Sequence, residues 1–190
     1  MKLFGLVFFL AIVCIAATTP AATGSGAEEP RYTPDNRMLR PDHYREWVWL
    51  SSGLGMSYTP GPADGNPGFD NVFVNPSAYR SFIATGKWPD KTVLVLETRS
   101  SVSKSSINQS GRVQGEMTGM EIHVKDERRF PGKWAFFGFD NSSQSGTLIP
   151  TSANCYSCHK QHGAVDTTFV QFYPTLMDVA KQKGTVQPGY

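Results

Sequence analysis

Short runs of branched and aromatic residues punctuate this chain, and turn formers separate them. Trp47-Val48-Trp49-Leu50, Asn71-Val72-Phe73-Val74, Lys91 to Thr98 and Trp134 to Phe139 each have strand length and strand composition. Val113 to Lys125 adds a fifth strand, bent where Gly115 and Gly119 interrupt it. Helical signals are fewer. Asp42 to Glu46 spans a single turn, and Asn75-Pro76 places a cap and a first-turn proline ahead of Ser77 to Thr85, which closes at Gly86. Cys155 to His162 reads as a helix, and Pro174 opens a last one that runs to about Lys183. Residues 53–68 carry five glycines and three prolines and predict a long loop, while Ser100 to Gly111 is a polar hairpin loop.

These elements predict an α+β domain over residues 41–183, an antiparallel five-stranded β-sheet with a few packed helices. Residues 28–40 lack hydrophobic periodicity and read as a flexible leader, and residues 184–190 read as a C-terminal tail. Composition narrows the class. Hydrophobic residues make up 39% of the 190 and the net charge is only +2, which excludes a disordered chain. That charge also argues against an electrostatic nucleic-acid binder, which would need a basic face.

The first 27 residues stand apart from the domain. Lys2 precedes an apolar run from Leu3 to Ala17, and small residues with Pro20 follow. This is the pattern of a cleaved export signal, with cleavage near residue 22 or 28. A retained anchor competes, but the run is shorter than the roughly 20 apolar residues a spanning helix needs. A lipid on Cys14 is a poor fit, because bulky Val13 precedes it.

With the signal removed, three cysteines become two, Cys155 and Cys158, in a chain expected outside the reducing cytosol. They belong to Cys155-Tyr156-Ser157-Cys158-His159, the C-x-x-C-H pattern for covalent attachment of a c-type haem. Two thiols three residues apart on one helical turn can add to the two porphyrin vinyl groups, and the adjacent imidazole then faces the iron. Three rivals explain less. A disulfide within C-x-x-C would be strained and has no need of His159, and a redox pair expects a βαβ context that is missing here. Zinc held by Cys155, Cys158, His159 and His162 would be unusually local for a structural site.

One haem c, bonded to Cys155 and Cys158 and ligated by His159, is therefore the expected cofactor. A sixth ligand would make an electron carrier, and an open sixth position would favour ligand binding or catalysis. Met177 and His123 are the candidates for that ligand, against ordinary roles in the core or the sheet. His162 lies one turn beyond His159 and cannot reach the opposite haem face.

The order of several further stretches resembles the cytochrome P460 family, which includes the beta-type cytochromes c-prime. They are Tyr44-Arg45-Glu46-Trp47, Val72 to Pro76 with Tyr79, and Thr92 to Glu97. Val124-Lys125-Asp126 with Arg129 to Gly132, Trp134-Ala135-Phe136, Leu148 to Thr151, and Phe169 to Pro174 follow. The resemblance covers residues 41–183 and implies a homodimer, a haem packed on an antiparallel sheet and an open distal pocket. It implies small nitrogen ligands: hydroxylamine to be oxidised, or nitric oxide to be bound. Where cytochrome P460 bonds a lysine to the porphyrin, this chain has Leu96, which puts hydroxylamine oxidation in question and favours neutral diatomic ligands. Glu121 matches the family's distal carboxylate, the expected catalytic proton acceptor. Phe73, Phe136 and Phe139 are candidate pocket walls. The alternative remains a six-coordinate electron-transfer cytochrome with a distal Met or His.

Overall fold

Apolar alternation along the two longest strands dictates the middle of the fold. In the computed structural model, which describes residues 28–190 except 59–60, 62–64 and 141, these strands pair antiparallel at the centre of one sheet. The export signal expected at residues 1–27 lies outside the described residues. The strands are β1 (Met38–Leu39), β2 (Val48–Leu54), β3 (Phe69–Val74), β4 (Val93–Val102), β5 (Val113–Lys125), β6 (Trp134–Phe139) and β7 (Ser145–Leu148). They line up in the order β1-β7-β6-β5-β4-β3-β2, so the sheet has seven strands, not the five expected. The two additions lie at one edge. β1 has only two residues and β7 reads Ser-Gly-Thr-Leu, so neither shows an apolar alternation of its own; each exists through its pairing.

β1 also changes the expectation of a flexible leader over 28–40. Met38 has no exposed surface, Tyr32 pairs with it in a β-bridge, and the Arg37 guanidinium binds Ser145. This segment is part of the sheet.

Helices α1 (Pro76–Thr85), α2 (Asn154–His162) and α3 (Pro174–Gln182) match the expected ones closely. α1 ends at Gly86, whose φ of 72° is a conformation that glycine adopts without strain. Asn75 precedes α1 as expected, but its side chain makes no cap. Its Oδ1 accepts the Val93 N–H at 2.8 Å and its Nδ2 donates to Lys91 O, so it fastens the start of β4 instead.

Alternation in β4 separates two cores. Val93 and Val95 face one side with Ile122, Val124 and Phe137, closed over by Met38, Tyr44 and Trp47. Leu94 faces the other side with Val74 and Leu50, beneath Phe82, Trp88, Leu176 and the 164–173 segment. Leu96, Glu121, His123 and His159, singled out from the sequence, gather on this second face with Leu94.

Candidate functional site

α2 carries the C-x-x-C-H residues, yet none of its nine residues is fully buried, so packing alone does not hold it. Tethers at its two ends do. At the first, the Tyr156 hydroxyl donates to Ile149 O at 3.1 Å and accepts the Phe136 N–H at 3.3 Å, fixing the helix to β6 and its neighbour. At the second, the chain folds back directly after His162. A Cβ on Gly163 would lie 2.7 Å from His159 O and 2.8 Å from Thr168 N, so only glycine permits this approach.

The fold-back places the Thr167 carbonyl 2.7 Å from His159 Nδ1. A carbonyl can only accept, so Nδ1 carries the hydrogen and Nε2 keeps its lone pair. Desolvation lowers the His159 pKa against the opposing pull of this bond, which leaves the ring neutral at pH 7. A neutral imidazole oriented through its other nitrogen is the usual form of a metal-ligating histidine. Phe169 covers the ring at 4.2 Å, and Phe136 and His123 meet it edge-on.

His159 forms one wall of a cavity of about 350 Å³, within the range of cofactor and ligand pockets. The sheet supplies another wall. Val72, Leu96 and Glu121 are register partners on β3, β4 and β5, and Leu94 and His123 form the adjacent pair. Both residues assigned to the distal side from the sequence therefore line the same cavity as His159. No lysine is among the described residues that line it, and Lys91 instead pairs with Asp126. Phe136 lines the cavity, while Phe73 and Phe139 pack into the opposite core.

Glu121 is exposed, yet its surroundings push its carboxyl above the usual range, chiefly by desolvation and further by the charge of Asp70. Asp70 lines the cavity too, and desolvation raises its carboxyl as well. Glu121 also borders a second cavity of about 500 Å³, which Arg37, Asp140 and Thr147 help to line.

The candidate sixth ligands are engaged elsewhere. His123 stacks on Phe136 with centroids 4.0 Å apart, contacts Thr167 Oγ1, and is held neutral because burial lowers its pKa. Met177 packs against the core beneath α1 and α3 and does not line the cavity. His162 is exposed. Cys155 and Cys158 are unpaired, half-buried thiols. Among the described residues no group of three or more His, Cys, Asp or Glu side chains is placed to hold a metal ion.

Sequence reasoning missed Thr167, Gly163, Asp70 and Tyr58. Thr167 acts through its backbone carbonyl, which leaves no side-chain signal. Asp70 enters the site only through the β3–β4 register, and Tyr58 comes from the glycine-rich loop.

The donor set and cavity fit a flat apolar cofactor with one axial nitrogen. Met56, Tyr58 and Phe172 line the cavity while staying 45%, 77% and 44% exposed, surface that such a cofactor would cover. Fold and site thus place a histidine at the wall of a cavity on one face of an antiparallel sheet in an α+β protein. The model of the cytochrome P460 family matches residues 41–170, and the chain belongs to that family. The family implies a haem cofactor. No curated protein matches the chain closely enough to name a relative.

Proposed function

We propose that the chain is an exported mono-haem c-type cytochrome that binds or oxidises small nitrogen species, nitric oxide and hydroxylamine, at a five-coordinate iron. Cys155 and Cys158 hold the haem by thioether bonds and His159 is its one protein ligand. The observation that carries this reading is the 2.7 Å bond from His159 Nδ1 to Thr167 O, which leaves Nε2 available at the cavity wall. Bound haem would supply an iron that takes up the nitrogen atom and passes electrons to an acceptor.

The chain's own residues supply the rest. Leu96, Val72 and Leu94 keep the sheet wall apolar and discourage bound water. Glu121 accepts a proton at its carboxylate, and its raised affinity for protons suits that transfer near neutral pH. A leucine at position 96, with no lysine among the described residues of the cavity wall, supports a haem without an extra bond to the macrocycle. The apolar run at residues 3–17 supports export, and family membership supports a homodimer.

Optical spectra and intact mass test this directly. The expected result is one added haem that survives denaturation, and a ferrous spectrum that is high-spin until ligand is added. A protein without haem mass, or one low-spin without ligand, refutes the reading. Glu121→Gln is expected to slow hydroxylamine turnover by about 10²-fold or more, the range of general acid–base catalysis, with nitric oxide affinity unchanged.

A further inference from the structure

The wall of the first cavity carries two carboxylates. Glu121 stands opposite Leu96, and Asp70 stands opposite Thr98, two residues further along the same central strand. Both side chains line the cavity, and among the described residues no lysine or arginine lines it with them. Among the described residues neither acid has an ion pair. Glu97, on the opposite face of β4, is different: it pairs with Arg45 and Arg99. Arg37 lines the second cavity that Glu121 also borders, where it donates to Ser145 Oγ and O at 2.9 Å, and it does not line the first cavity. Among the described residues the cavity therefore holds two carboxylates and no lysine or arginine.

We propose that Asp70 and Glu121 together make this wall a charge filter that rejects anionic ligands and admits neutral and cationic ones. Resting on the reading of a haem pocket given above, this assigns Asp70 a specificity-determining role. The ligand class it selects is neutral nitric oxide, hydroxylamine or its protonated form, against nitrite and other small anions. The selection is electrostatic: an anion in the cavity meets two like charges, and the repulsion weakens with added salt because Glu121 is exposed.

The test uses the haem-loaded ferric protein at pH 8, titrated optically with azide as the anion and imidazole as the neutral ligand. Asp70→Asn is expected to tighten azide about tenfold, which corresponds to about 1.4 kcal/mol of charge repulsion, and to leave imidazole within about twofold. Asp70→Glu restores the charge and is expected to restore the rejection of azide. Glu121→Gln reads the same field from the other strand and is expected to shift the azide-to-imidazole ratio in the same direction. A ratio that ignores Asp70→Asn and Glu121→Gln, in a protein that carries its haem, overturns the filter alone. A protein that carries no haem overturns both the filter and the reading on which it rests.

Discussion

Adding a single methyl group at Gly163 tests how the proximal histidine is held. The Gly163 Cβ would meet His159 O at 2.7 Å, Thr168 N at 2.8 Å and the Thr167 carbonyl carbon at 3.0 Å. All three atoms are backbone, so no flexible side chain can swing aside. Ordinary contact begins near 3.4 Å, so the loop must retreat by roughly 0.7 Å. Overpacking of this kind costs about 1–3 kcal/mol, and the retreat carries the Thr167 carbonyl away from Nδ1. Gly163→Ala is therefore expected to lose about 1–3 kcal/mol in denaturant unfolding of the haem-loaded protein, and to lower the iron–histidine stretching frequency in resonance Raman of its ferrous form.

Gly132→Ala is the control, because the nearest atom to its added Cβ is Trp134 O at 4.0 Å and its φ is not positive. It is expected to stay within about 0.5 kcal/mol of the parent. Equal stability of the two variants would refute the claim that close approach at Gly163 sets the loop. A large loss of stability with an unchanged iron–histidine frequency would separate the loop from the ligand.

Two other perturbations probe the cores. Phe82 is fully buried and lies 4.3 Å from Trp88, so Phe82→Ala should cost about 3–5 kcal/mol in the same unfolding assay, and a loss below about 1 kcal/mol would contradict the packing described. Glu97 is almost fully buried, and although burial opposes ionisation, hydrogen bonds from Tyr44, Arg99 and Arg45 hold its carboxyl below the usual 4.5. A lowered carboxylate contributes stability above that value and loses it as pH falls through the folded pKa. Glu97→Gln should therefore cost about 2–3 kcal/mol at pH 7, less than a fully buried pair because Arg45 is half exposed, with the gap to the parent narrowing below pH 4.5. A gap that stays constant down to about pH 3 would refute this account.

The strands that the sequence revealed best are those whose own side chains fill a core. Val93 and Val95 against Leu94, and Ile122 and Val124 against His123, alternate between two faces, and that period is visible without any partner. Met38–Leu39 and Ser145–Leu148 are too short and too mixed to show a period, because their pairing depends on each other and on β6. At the site the same division holds. Cys155, Cys158 and His159 announce themselves by spacing alone. Leu96 and Glu121 were found through resemblance, and the β4–β5 register sets them side by side. Asp70 could not be found in this way, because its place beside them depends on how β3 aligns with β4. Thr167 contributes a carbonyl, which every residue has, so only the path of the chain after Gly163 could reveal it.

The paired edge formed by β1 and β7 bears on where this protein can be cut. A fragment limited to residues 41–170, the span of the family match, would discard Met38 from its core and strip β7 of its outer neighbour. The same fragment would remove α3, whose Leu176 and Ala180 are fully buried beneath the cofactor side of the sheet. A bare strand edge is a template for joining another chain. Expression trimmed to the match is thus expected to give aggregates, whereas a start near residue 28 keeps the edge closed.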